Sequence, residues 1–424
     1  MKICIIGAGA SGLSCAYFLI QKGYQDITII ESLDRIGGKI HSFKIDDLIY
    51  EKGAVHLLNY YQTTDELLEK FGVKAVSVTE YHIVLNESIK KLFMFVAESV
   101  NIIADLIKYH EMTKHYNDTF LKNANFKNIA KDANLRLSLH DFLIHHKLNS
   151  LIPFLSMLSM RLTSTEATDL SFAVFLKIFP PSMLYAFINY NIPIIGPEIA
   201  QPSVKFIPDG YESLMEKMGQ YLVKEGVVFK FGRRIQSVIG NEIIASDERF
   251  TFDKVIMTSI CKGISNFDPI YIDGLPIMDL LMSSKITNPC VFKQHIRSNQ
   301  VNYGDYILMA SEINKPYSIY NFYKDTKVLG TLSVVNTKDR TVLRENIINY
   351  LPKHLGKLEI VEEDQGYFCY LQPIISVEDI QNGFYDKMES FQGKNNIYYS
   401  NIFFTMSYSG IVMQYAKELV DEYF

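Results

Sequence analysis

The spacing of apolar residues changes period several times along the chain, and each change marks an element. Lys2-Ile-Cys-Ile-Ile is a short apolar run that meets glycine directly, which predicts a buried strand over residues 2–6. Leu13, Ala16, Tyr17, Leu19 and Ile20 then recur at helical spacing, and Gly23 stands where a helix C-terminus favours glycine. Ile27 to Ile30 is a second apolar run closed by Glu31, which completes one βαβ unit. Between about 62 and 200 the pattern predicts mainly helix. Asp65 to Lys70 starts one, Ser88 to Tyr116 is a long amphipathic stretch, and Ser138 caps another. Residues 204–264 are mixed, with a helix over Ser213–Gly226 and strands at Val227–Phe231, Arg234–Ile239 and Val255–Ser259. Strand-like runs dominate 290–335, including Tyr306-Ile-Leu-Met and Leu329 to Val335. A helix is expected from Thr341 to Leu351, then a strand at Ile397–Ser400 and a last helix from Gly410 to Tyr423.

The turn between the first strand and helix reads Gly7-Ala-Gly-Ala-Ser-Gly12, a GxGxxG, with an acid nineteen residues beyond its last glycine. A GxGxxG alone is weak, but here it follows a strand, opens a helix and ends in an acidic second strand, the full dinucleotide context. Gly7 permits the tight turn, Gly9 lets a diphosphate approach bare backbone, and Gly12 lets helix and strand pack. The N–H groups of Ala10 and Ser11, at the positive end of the helix, suit the diphosphate. Glu31 suits a ribose and repels a 2′-phosphate, which argues against NADP. A second cluster continues from it: Glu31, Arg35, Gly37, Gly38, Lys39 and Ser42 spell E-x3-R-x-G-G-K-x2-S. Two adjacent glycines let a second loop pass close to the same dinucleotide, with Arg35 and Lys39 offering positive charge.

The run Gly7–Ser42 resembles the flavin-containing amine oxidoreductases, which include monoamine oxidase, protoporphyrinogen oxidase and phytoene desaturase; their second motif is E-x3-R-x-G-G-[RK]-x2-[ST]. The resemblance implies an α/β fold. A Rossmann-like FAD-binding domain would be assembled from separated segments (1–70, 200–265 and 365–424). A mixed helical and β-sheet substrate domain would fill 71–199 and 266–364. It implies that Gly53, Ala54, Val55 and His56 pass beside the flavin ring, and that the backbone of Ile235 lies near adenine. It also implies that Asn401, Ile402, Gly410 and Ile411 close the site where a helix N-terminus faces the pyrimidine. The helical middle and Tyr398-Tyr399 resemble the branch containing β-cyclopiazonate dehydrogenase. The closing motif departs from the family, because Asn401 and Ile402 stand where Gly and an acid are usual. Asn tolerates left-handed backbone, whereas Ile402 cannot hydrogen-bond the cofactor through its side chain. No counterpart of the cysteine that attaches flavin in monoamine oxidases is evident, so the FAD is expected to be noncovalent.

Flavin chemistry needs little acid–base help, and no triad is evident. Relatives place a lysine, bridged by water to N5, in the substrate-domain sheet and frame the flavin with aromatic residues; Lys293 and Tyr370 are the corresponding candidates, against plain readings as a strand lysine and a core aromatic. The expected reaction is hydride transfer from a C–N or C–C bond of a largely apolar small molecule to flavin N5, with oxygen or another acceptor reoxidising the cofactor. Two alternatives stand beside it: a desaturase- or isomerase-like flavoprotein on a lipid or isoprenoid at a membrane surface, and a flavin binder without turnover.

Composition narrows the partners. Of 424 residues, 48% are hydrophobic and 21% charged, and the net charge of −5 offers no basic field for nucleic acid. Cys4, Cys15, Cys261, Cys290 and Cys369 are odd in number and widely spaced, which fits a reducing cytoplasm better than a disulfide framework. His140, His145 and His146 lack a fourth ligand, so no metal is expected. Lys2 and the apolar run after it imitate a secretory leader, but strand, glycine turn and helix account for them better. Ser150 to Ile188 is the most apolar stretch; Arg161, Glu166, Asp169, Lys177 and Pro180-Pro181 interrupt it. No spanning helix is expected there, and peripheral membrane contact is the minority reading of this lobe.

Overall fold

The computed structural model describes residues 1–58, 62–78, 81–85, 88–91, 100–181, 204–246, 248–259, 275–308, 312–351, 355–370 and 373–424. Its first layer is a five-stranded parallel sheet in the order Val228–Lys230, Ile27–Ile30, Ile3–Ile6, Lys254–Met257, Ile397–Tyr399. The central strand Ile3–Ile6 is buried along its whole length, as the continuous apolar run requires of a parallel strand covered on both faces. The opening helix Ala10–Gln21 packs on the closing helix Ser409–Tyr423 and on Glu212–Lys224. Three parts of the chain, separated by more than a hundred residues each, therefore build one α/β unit.

The second layer is an eight-stranded sheet. Along it run Leu358–Ile360, Cys290–Ser298, Val328–Val334, Pro316–Asn321, Gly304–Leu308, Tyr81–Leu85 and Ser88–Lys91, and Tyr367–Tyr370 also pairs with Cys290–Ser298. Strand alternation divides its residues between two faces. Cys290, Phe292 and Ile296 pack with Ile319, Leu329, Leu343 and Ile347 beneath the helix Arg340–Tyr350. Lys293 and His295 take the opposite face, toward residues 43–53.

A helical lobe spans residues 100–181, with helices at Val100–Thr113, Leu139–His145, Ile152–Thr163 and Phe172–Ile178. The Ser138 hydroxyl accepts from the Asp141 N–H at 2.9 Å and so caps the second helix, as its sequence predicts. Phe142 stacks on Phe172 with ring centroids 3.6 Å apart, which joins the second helix to the fourth. Lys177 is fully buried and donates to the carbonyls of Phe120 and Asn123.

One expected element is overturned. Ser88–Lys91 is not the start of a long helix but a strand, antiparallel to Tyr81–Leu85, which itself pairs in parallel with Gly304–Leu308. Helical spacing over a few residues yields to a sheet edge that offers unpaired backbone groups. The rest of that stretch is helical from Val100, with residues 92–99 outside the described residues. Cys261 and residues 182–188 of the apolar stretch also lie outside them. Among the described residues no helix is long and apolar enough to cross a membrane, and no group of three or more His, Cys, Asp or Glu could hold a metal.

Candidate active site

The glycine turn follows the strand Ile3–Ile6. Gly7 has φ +107°, a conformation open mainly to glycine. A Cβ on Gly12 would overlap the Gly7 carbonyl oxygen, so this glycine is imposed by helix–strand contact. Gly9 differs. A Cβ built there would come no nearer than 3.8 Å to another part of the protein, at the Gly38 Cα. The fold tolerates a side chain at Gly9, so a close-lying diphosphate is the constraint that asks for glycine. The second glycine pair lies directly over the first turn: Gly37 bridges Gly9, and the Gly37 N–H donates to the Ala8 carbonyl at 2.8 Å.

Glu31 ends the second strand 6% exposed. Its carboxylate accepts from the Ala8 N–H at 2.7 Å and the Leu33 N–H at 2.8 Å, and from the Ser32 hydroxyl at 3.1 Å. An ionised carboxylate has about four acceptor positions, so one remains for a ribose hydroxyl. The chain returns past this acid after Val228–Lys230, where the Arg233 N–H donates to the Glu31 carbonyl at 2.9 Å. That return sets buried Ile235 two residues beyond the Arg233 N–H that bonds Glu31. Glu31→Ala is expected to weaken FAD binding by about 1.5–3 kcal/mol, the scale of a hydrogen bond to a charged group. Fluorescence of released flavin measures it.

Arg35 reaches inward to the loop that carries it. Its guanidinium donates to the carbonyls of Ile36, Gly38 and Ile40 at 2.8–3.0 Å and pairs with Glu212 at 3.4 Å. It therefore braces the Gly37-Gly38 loop from within. Burial lowers the Lys39 ammonium. The Lys39 carbonyl accepts from the Ala54 N–H at 3.2 Å, and a Cβ on Gly53 would overlap that carbonyl oxygen. The 37–40 loop and the 53–56 segment thus lie side by side, with Val55 buried.

The larger sheet closes on this segment. Lys293 is 4% exposed and donates from Nζ to the Gly53 carbonyl. Burial pulls its pKa down, and Glu51 and Cys369 only partly restore it. Glu51 itself is pushed up by burial against bonds from the Tyr211 N–H at 2.6 Å and the Ser42 hydroxyl at 3.0 Å. Tyr370 stands in register with Cys290, three residues from Lys293, and its side chain is outside the described residues. Tyr367 is the residue paired with Lys293. Cys369 pairs with Val291 and, by alternation, shares the Lys293 face.

His56 enters a buried ionic cluster that sequence reasoning did not find. Arg161 Nη2 bonds both Asp305 oxygens at 3.1 and 2.9 Å, and His56 Nε2 lies 3.4 Å from Asp305. Burial would raise the Asp305 carboxyl, but Arg161 and His56 outweigh it and bring it down to about 2. Burial also holds the His56 imidazole below its ordinary value. The one signal in the sequence was Arg161 as a charge interrupting an apolar run; its partner is 144 residues away.

The C-terminal segment closes the other side. Ser11 Oγ donates to the Ser400 carbonyl at 2.5 Å, which ties the opening helix to the strand Ile397–Tyr399. Asn401 is buried but does not have the left-handed backbone expected of it. Its side chain instead accepts from the Phe403 N–H at 3.0 Å and donates to the Met257 carbonyl at 3.4 Å, an Asx turn that serves the bend without glycine. Ile402 packs partly buried against the main core. Gly410 and Ile411 occupy the first turn of the closing helix, anchored where the Tyr211 hydroxyl meets Ser409 Oγ. The half-buried glycine turn, the second glycine loop, the acid with a spare acceptor position and the closing helix fit an FAD, and these residues would hold it.

Comparison with known proteins agrees with this architecture. The family model described as flavin containing amine oxidoreductase matches residues 10–364. An L-amino-acid oxidase from Sistrurus catenatus edwardsii is 34% identical over 73 residues, 17% of this chain and 14% of that protein. A polyenoic fatty acid isomerase from Ptilota filicina is 23% identical over 267 residues, 56% of this chain and 50% of that protein. The alignments thus span half or less of the length of these curated relatives. Among solved structures, a CLA-producing fatty acid isomerase from P. acnes superposes with a TM-score of 0.82 at 19% identity, covering 100% of this chain and 98% of that one. A putrescine oxidase bound to putrescine gives 0.70 at 14% identity, covering 99% and 98%.

Proposed function

The chain belongs to the flavin containing amine oxidoreductase family, with FAD as its cofactor, and on that premise we propose that it removes a hydride from a C–H bond of an unsaturated, largely apolar acyl chain. Bound FAD supplies the hydride acceptor and, for an isomerisation, the means of returning the hydride. The chain's own residues orient the substrate, exclude water and hold a proton. The observation that carries the substrate class is the state of the acids around Lys293 and Arg161. Glu51 is occupied by Ser42 and Tyr211, Asp364 by His295, and Asp305 by Arg161. None of the three is left to receive an ammonium substrate. The wall around Lys293 is aromatic and aliphatic: Leu332 pairs with it across the sheet, and its ammonium lies 5.9 Å from the Tyr320 ring centroid. The helical lobe is packed with buried Phe and Leu, apolar surroundings that suit a hydrocarbon chain. Likeness in fold to a fatty acid isomerase across the whole chain adds support.

In this reading the 37–40 loop and the 53–56 segment shield the reacting carbon from water, and Lys293 holds a proton at Nζ beside them. The chain divides into the cofactor segments 1–70, 200–265 and 365–424 and the substrate segments 71–199 and 266–364, except that Tyr367–Tyr370 joins the substrate sheet. The test is anaerobic mixing of the yellow holoprotein with linoleic acid, putrescine and an L-amino acid. The expected result is flavin bleaching or a conjugated-diene absorbance with the fatty acid alone. Reduction by either amine, with the fatty acid inert, would overturn the proposal.

A further inference from the structure

Arg161 holds more hydrogen-bonding capacity than its surroundings use. It belongs to the helix Ile152–Thr163 of the apolar lobe, and its side chain is 9% exposed. Both of its bonds to Asp305 come from Nη2 alone. The Nε–H is buried with no hydrogen-bond partner. A guanidinium carries five donors in a rigid plane, and a buried donor left unmet in a folded protein calls for a bound group to meet it.

Its position suits a substrate. His56 Nε2 lies 3.5 Å from Nη2 and belongs to the segment that continues from Gly53, the residue Lys293 bonds. On another side the Tyr408 hydroxyl donates to the carbonyl of Leu162, next to Arg161, at 2.6 Å, and Tyr408 immediately precedes the closing helix. Arg161 therefore stands where lobe, sheet and cofactor segments meet.

We propose that Arg161 anchors the carboxylate of the substrate through its Nε–H, with the hydrocarbon chain running from there along the Lys293 face. A bond from a guanidinium N–H to a carboxylate is charge-assisted and directional. The same cation repels an ammonium group, so one residue selects for acids and against amines. This anchor rests on the fatty-acyl reading above.

The experiment compares linoleic acid with its methyl ester on the FAD-loaded protein. Removing Arg161 alone strands a buried Asp305, so the main variant is the double substitution Arg161→Gln with Asp305→Asn, which removes both charges together. Arg161→Lys is the second variant; it keeps the charge but loses the fixed Nε–H donor. Wild type is expected to prefer acid to ester. The double variant is expected to lose that preference by about 10–100-fold in kcat/KM, mostly through KM, and to bind a saturated fatty acid about 10–100-fold more weakly by calorimetry. The lysine variant should fall between. An unchanged acid-to-ester ratio in either flavin-loaded variant overturns the anchor, as does a wild type that uses acid and ester equally. A wild type that uses neither overturns the substrate reading and the anchor with it.

Discussion

Gly9→Ala is expected to give a folded protein without flavin, and Gly12→Ala a protein that neither folds normally nor binds flavin. Both glycines belong to one motif and would be treated alike from sequence. The structure separates them. At Gly12 a Cβ would overlap the backbone of Gly7, and neither partner can move without displacing the helix Ala10–Gln21 from the strand Ile3–Ile6. Overpacking of this kind typically costs about 1–3 kcal/mol, and a backbone collision in a fully buried sheet belongs at the upper end or beyond it. At Gly9 the nearest atom of another segment is 3.8 Å from the new Cβ, an ordinary contact, and φ is −80°, which alanine adopts freely. The cost at Gly9 falls on the ligand, because the methyl group occupies the approach of the diphosphate to the backbone. Thermal melting of the two apoproteins, with absorbance at the flavin band, distinguishes the cases. The apoprotein melting temperature should hold for Gly9→Ala and drop for Gly12→Ala. Flavin retention by Gly9→Ala would remove the diphosphate from this turn.

The same contrast shows why the cofactor half of the site was legible in the sequence. The turn from Gly7 to Gly12, the acid Glu31 and the pair Gly37-Gly38 are constraints on a short stretch of backbone, and local spacing records them. Lys293 was legible for a weaker reason: a run of strand-like residues places a lysine in the larger sheet, but which loop it meets depends on packing between residues 240 positions apart. The cluster of His56, Arg161 and Asp305 left almost no trace, because a buried ion pair has no spacing rule when its members come from a loop, a helix and a strand. Tyr367 and Tyr370 look equivalent in Tyr367-Phe-Cys-Tyr370 until register assigns one to Lys293 and the other to Cys290. Asn401 was read by analogy with the glycine it replaces, whereas its side chain makes the turn by hydrogen bonding instead.

Lys293→Met is expected to slow flavin reduction by about 10²–10⁴-fold, the contribution of one well-placed proton-transfer group, while the protein keeps its yellow colour. Methionine preserves the length of the side chain in the buried wall, so packing changes little. The lost bond to the Gly53 carbonyl costs about 1–3 kcal/mol if no water replaces it, and the removed desolvation of a buried ammonium offsets part of that. A purely structural lysine would therefore give a variant with nearly normal rate, and stopped-flow reduction at saturating substrate decides between the two. The pH dependence of stability supplies an independent check. Burial lowers the Lys293 pKa in the folded state, whereas the unfolded chain holds that proton up to about 10.4. Between the lowered value and about 10.4 the unfolded state binds more protons, so this group makes stability rise with pH. Below that window both states are protonated and the slope vanishes. Other buried groups titrate over the same range, so the quantity to measure is the difference in unfolding free energy between wild type and variant. That difference should grow in favour of wild type as pH rises through the window. A flat difference together with a normal reduction rate would show that Lys293 is neither desolvated nor part of the reaction.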